Sequence, residues 1–214
     1  MAGRNISTQF ESAPNPATRR ALFDLRRILR RINPDQWNDL RVPLSATNVG
    51  AARQPTFKQW RDDGAGSVPG LYGQVFPHSS EREVFFDAQL PHSYKEGTRI
   101  APHVHFSPLV APADGETVRF GLEYTWANVG GVFPTTTTIY AEYTFDSDVV
   151  YAHLIGGFDP DIDEPTMKVS AMIGGRLFRD ALHVNDTHNE EIVVHEIDFH
   201  FLMESFGSEQ EFSK

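Results

Sequence analysis

"VRFGLEYTW", residues 118–126, sets Val118, Phe120, Leu122, Tyr124 and Trp126 alternately with Arg119, Gly121, Glu123 and Thr125. A strict period of two belongs to a strand with one buried and one wet face, because successive strand side chains point to opposite sides. The same alternation runs through Val84, Phe86, Ala88 and Leu90. Further strands are expected over Ile139–Phe145, Val149–Ile155, Met167–Ile173 and Ile192–Met203, separated by turn clusters such as "APADGE", "GGFDPDIDEP" and "NDTHNEE". About eight strands with no helical period between them predict an all-β, antiparallel, jelly-roll-like sandwich rather than a parallel α/β sheet.

Upstream the period changes. Asn15 and Pro16 combine a capping side chain with a proline suited to the first helical position. Leu22, Leu25, Leu29 and Ile32 then recur at helical spacing until Asn33-Pro34 stops the run, among Arg19, Arg20, Arg26, Arg27, Arg30 and Arg31. This predicts a basic N-terminal arm, 1–36, with one amphipathic helix, and a β-sandwich body, 37–214. The apolar stripe Leu22, Leu25, Leu29 and Ile32 is the candidate docking or oligomer surface. It suits packing on the body, anchorage on an acidic partner, or a short seam between copies.

The net charge of -10 is unevenly placed, since residues 1–60 hold ten Lys/Arg against four Asp/Glu. An acidic body of this kind repels nucleic acid, and no nucleic-acid partner is expected. No apolar run has the length of a membrane span and no secretory leader stands out, so the reading is a soluble chain made in the cytoplasm. With no cysteine, disulfides, thiolate metal sites and cysteine nucleophiles are excluded.

Chemistry-bearing residues gather in two places. "PHVHFSP", residues 102–108, sets His103 and His105 on one face of an expected strand, where two imidazoles can share a cation. From Gly97 the spacing resembles the opening of the first cupin metal motif, but Leu109 and Val110 stand where that motif asks for a glutamate. The alternative reading, a cupin-like metal-dependent enzyme, needs a third ligand from His153, His195 or His200. Patterning points Val104 and Phe106 to the core and the histidines away from it. The second place is the last strand, where Glu196, Asp198 and His200 share one face opposite His195, Ile197, Phe199 and Phe201. Such a row is expected to be the solvated side of an antiparallel sheet. "DPDIDEP", 159–165, lacks the glycine and closing glutamate of a calcium loop and reads as an acidic turn. No phosphate loop, nucleophile elbow or HExxH helix is present, so no catalytic residue, cofactor or resident metal is expected.

Five segments, "WNDLRVPLSATNVG" (37–50), "LPHSYKEGTRIAPHVHFSP" (90–108), "FGLEYTWANVGGVFPTTTTIY" (120–140), "RLFRDA" (176–181) and "IDFHFLMESFGSEQEF" (197–212), together resemble a family of virion structural proteins of tailed bacteriophages. The resemblance implies a non-enzymatic, β-rich homotrimer or other homo-oligomer on the virion. It would be a capsid decoration or head-fibre protein, docked through its N-terminal region on capsid or tail proteins. A tail-fibre or receptor-binding role is the alternative, with Trp126 or Tyr140 stacking on host glycans.

Overall fold

The computed structural model describes residues 15–31 and 36–208. The chain divides into two units, residues 1–33 and 34–214. In the first, α1 runs Pro16–Arg31. The Asn15 carbonyl accepts the first helical bond, from the Arg19 N–H, and its side-chain Oδ1 accepts the Thr18 N–H at 2.9 Å. That satisfies a donor that otherwise has no partner inside a helix. Leu22 is 44% exposed and Phe23 is more so. Leu25 and Leu29 lie within the helix, and Ile32 lies outside the described residues.

The second unit is the expected antiparallel sandwich, built, among the described residues, from ten strands rather than about eight. Sheet A contains β1 (Gln36–Pro43), β2 (Thr56–Arg61), β3 (Leu71–Phe76), β5 (Ile100–Pro108), β8 (Leu154–Gly157) and β10 (Ile192–Met203). Sheet B contains β4 (Arg82–Gln89), β6 (Thr117–Ala127), β7 (Thr137–Thr144) and β9 (Met172–Arg179) in the order β4-β9-β6-β7. In sheet A the order is β2-β3-β10-β5-β8, and β1 lies beside the C-terminal half of β10. The long β10 thus carries β3 and β1 end to end along one edge and β5 along the other.

Three strands carry little alternation and were not expected. β1 buries only Val42 fully, β2 is an edge strand with no buried residue, and β3 exposes Leu71 and Tyr72. Two others are shifted along the chain. Left-handed backbone at Ser147 and Tyr151 delays the expected 149–155 strand to Leu154, and a turn at Ser170, also left-handed, moves the expected 167–173 strand to Met172–Arg179. Met167, Val169, Ala171 and Ile173 are nevertheless all buried. The alternation there reported burial in a turn rather than a ladder.

The core lies between the sheets. Val104, Phe106, Ile197, Phe199 and Phe201 of sheet A face Phe86, Phe120, Leu122, Ile173 and Leu177 of sheet B. Ring pairs join the layers, Phe106 to Phe120 at 5.2 Å and Phe86 to Phe199 at 5.9 Å. Such pairs add roughly 0.5–1.5 kcal/mol each beyond the area they bury.

At the β6 end of the sandwich, buried His188 lies 2.8 Å from Glu116, and that contact, first among its influences, lowers the Glu116 pKa. A carboxylate with a depressed folded-state pKa contributes stability that is present above its ordinary value of 4.5 and lost as pH falls through the folded value. Glu116→Gln is therefore expected to flatten the acid limb of melting temperature against pH and leave the neutral plateau little changed. An unchanged acid limb in a pH series of thermal melts contradicts this.

Candidate histidine and carboxylate site

Because β5 and β10 alternate inward and outward, the outer face of sheet A receives whatever polar side chains fall on the other parity. Register sets His103 opposite Asp198 and His105 opposite Glu196, while Asp39 of β1 faces His200. Three neighbouring strands therefore deliver their titratable groups to one patch. His103 and His105 point away from the core, as the pattern predicts. The expected wet face differs, however: His103 is 6% exposed and Asp198 3% exposed. Of the row read as solvated, Asp198 is buried, while Glu196 and His200 are half-buried.

A β-bulge between Val194 and Glu196 changes one further assignment. Alternation alone puts His195 with Ile197 in the core, but the extra residue turns it outward, where Nε2 lies 2.9 Å from the Ser107 hydroxyl. His153, arriving from the segment before β8, places Nε2 2.7 Å from Nδ1 of His105. Five imidazoles thereby form a continuous row, His200, His103, His105, His153 and His195, with successive ring centres 4.0, 5.0, 4.9 and 6.2 Å apart. Trp60 closes the row with its ring 5.1 Å from His195.

The carboxylates sort these rings. Asp198 lies between the two strand histidines, Oδ1 2.7 Å from His103 Nε2 and Oδ2 3.3 Å from His105 Nε2. Burial is the largest single influence on His103 and disfavours its charge, yet the contact with Asp198 and its charge outweigh it, and the pKa rises. Burial pushes His105 down, and Asp198 opposes that without reversing it. His195 is also lowered, by burial first and then by His153 and His105. Of these three, His103 holds a proton best. Glu196 is engaged elsewhere, since Arg41 grips it with Nε at 3.1 Å and a terminal nitrogen at 2.6 Å. His200 is oriented by Asp39, whose Oδ1 lies 2.5 Å from its Nε2.

Among the described residues, two groups bring three metal-ligating atoms within 4.8 Å of one another: His103, Asp198 and His200, and His105, Glu196 and Asp198. His103 and His105 thus fall in different groups rather than sharing one set of ligands; of the three histidines considered as a third ligand, His200 joins His103, and His153 and His195 join neither group. Asp159, Asp161 and Asp163 form no such group, and Asp161 is paired with Arg99 at 2.9 Å.

A concavity of about 320 Å³ lies on the other sheet among Phe85, Asp87, Glu123, Gly174 and Arg176. Its Arg176 is tied to Glu83 and Glu123, which makes it an ion-paired surface rather than a set of free reactive groups. Of the aromatics offered for glycan stacking, Trp126 is partly buried against the core, whereas Tyr140 is exposed, with one ring face under the Arg119 guanidinium at 3.9 Å.

No helix among the described residues is long and apolar enough to cross a membrane. No family model and no curated protein matches the chain. Among solved structures, the endo-1,4-beta-D-xylanase 10B of Clostridium thermocellum, in its CBM22-1-GH10 modules with xylohexaose, aligns over 79% of this chain at 13% identity and a TM-score of 0.37, and the chain spans 27% of its length. The Caldicellulosiruptor saccharolyticus CBM27-1 with mannohexaose aligns over 75% of this chain and 96% of its own at 10% identity and a TM-score of 0.30. The infectious bursal disease virus Gx strain structure aligns over 79% of this chain and 41% of its own at 9% identity and a TM-score of 0.27. The chain is an antiparallel, two-sheet, jelly-roll-like β-sandwich.

Proposed function

We propose that the protein is a non-enzymatic, self-associating structural component of a tailed-phage virion, of the capsid decoration or head-fibre kind. The reading begins from the five-segment resemblance. The feature of the molecule that carries it is the β2–β3 edge of sheet A. β2 pairs only with β3 among the described strands, and the hairpin presents Phe57, 66% exposed, and Tyr72, 52% exposed, with rings 5.8 Å apart. An unpaired edge beside exposed aromatics favours association with another chain, here on a strand that also carries Lys58 and Arg61. A second copy of this chain is the occupant the resemblance favours, and docking on capsid or tail proteins is assigned to the N-terminal region.

Native mass spectrometry of the purified protein is expected to show a closed homo-oligomer, with a trimer as the leading stoichiometry. Phe57→Ser combined with Tyr72→Ser is expected to shift the population to monomer at the same concentration, with an unchanged far-UV spectrum. A monomeric wild-type chain at micromolar concentration contradicts the self-association. Antibody labelling that leaves intact particles undecorated contradicts the virion assignment.

A further inference from the structure

We propose that His103, Asp198 and His200 bind one divalent transition-metal cation of the zinc class, clipping β5 to β10 on the outer face of sheet A. The inference stands independently of the virion role, since it rests only on the polar layer of that face.

The arrangement of Asp198 is the decisive feature. Its carboxylate is 3% exposed, and Oδ1 has no hydrogen-bond partner although His103 Nε2 lies only 2.7 Å away. The two atoms are close without the alignment of a hydrogen bond, as expected when donors converge on a shared point instead of on each other. A buried carboxylate oxygen held only by a misaligned ion pair still carries part of the cost of a lost charge-assisted hydrogen bond. A cation removes that cost.

The chemistry of the donors selects the ion. Two imidazole nitrogens with one carboxylate and no thiolate suit zinc, cobalt, nickel, iron or copper, whereas calcium asks for six or more oxygens. Charge agrees: Asp198, Asp39 and Glu196 set against Arg41 leave three carboxylates to one guanidinium around the rings. Asp39 on His200 is the carboxylate–imidazole contact that fixes the tautomer and orientation of ligating histidines. Room for a remaining water ligand is provided by Gly157, opposite His103 in the register, where an added Cβ would meet nothing within 4 Å.

The overlapping group His105, Glu196 and Asp198 is not a second site. Arg41 holds Glu196 through two nitrogens, and the group shares Asp198 with the first. One ion per chain is therefore expected.

The test uses the full chain, stripped with chelator, dialysed, and titrated with Co²⁺ and then Zn²⁺. The visible absorption of Co²⁺ reports nitrogen and oxygen ligation directly, and calorimetry reports stoichiometry. The expected result is one equivalent per chain at micromolar affinity or tighter, with Zn²⁺ displacing Co²⁺ and raising the melting temperature. Asp198→Asn is expected to weaken binding on the order of 100-fold or more. His200→Ala, at a partly exposed position, repeats the test should Asp198→Asn not fold. His195→Ala, in the same row but outside the ligand set, is expected to keep one equivalent. Absence of Co²⁺ absorption, or wild-type stoichiometry and affinity in Asp198→Asn and His200→Ala, overturns the proposal and identifies any residual binding as adventitious.

Discussion

Replacing Arg179 with methionine is expected to lower stability by about 3–5 kcal/mol, a large share of the total for a domain of this size. Arg179 is fully buried at the end of β9, and its guanidinium donors are all engaged. Nε and a terminal nitrogen form a two-pronged pair with Asp186, at 2.9 and 2.7 Å. The remaining donors reach the carbonyls of Phe76, Glu190 and His188. These carbonyls belong to the end of β3 and the segment leading into β10, so one side chain ties sheet A to sheet B through the loop 180–191. Methionine fills much of the volume and supplies none of the donors. It leaves the Asp186 carboxylate, equally buried, without its charged partner.

The cost comes mainly from that stranded charge rather than from lost attraction, and the two can be separated. Arg179→Met with Asp186→Leu removes both charges and is expected to recover part of the loss, because an apolar replacement of a whole buried pair often costs little. The coupling appears in urea midpoints at constant m-value. A single-variant loss below about 1 kcal/mol contradicts the account.

How much of this was legible in the sequence depends on what each residue had to reveal. Strand faces were legible wherever one side is wholly buried, as in 84–90 and 118–126, because alternation and burial are then the same signal. β1, β2 and β3 were not, because edge strands with both faces partly wet carry no period. The outward aim of His103 and His105 was legible from Val104 and Phe106. The burial of Asp198 was not, since a polar row on an outer face reads alike whether water or other side chains cover it. His195 was misassigned because a bulge adds one residue without any mark in composition. Arg179 did carry a signal: Ile173, Gly175, Leu177 and Arg179 share the inward parity of β9, and an arginine there requires a buried acidic partner. Placing β9 five residues too early, over 167–173, hid it.

The same inward row explains the second large effect. Gly175 sits opposite Phe86 in the ladder, and a Cβ built on it would lie 2.8 and 2.9 Å from Phe86 Cε1 and Cε2. Phe86 is itself held from the far side by Phe199, the ring contact that joins the two sheets. The phenyl group therefore cannot retreat into the core. Gly175→Val is expected to cost about 2–3 kcal/mol through overpacking, even though replacing a glycine restricts the unfolded chain and by itself favours folding by about 0.4–1 kcal/mol. Steric cost prevails because the clash is with a ring fixed on both sides. Gly174 provides the contrast one residue away. It points outward, where a Cβ would meet Asp87 Oδ1 at 3.3 Å and Thr125 Cγ2 at 4.0 Å, both ends of mobile side chains. Gly174→Ala is expected to be neutral or stabilising by up to about 1 kcal/mol. Adding Phe86→Leu to Gly175→Val is expected to return part of the lost stability, since the smaller side chain vacates the space the new methyls need. Equal melting temperatures for Gly175→Val and Gly174→Ala contradict the inward assignment of Gly175 and, with it, the packing that sets Phe86 between the sheets.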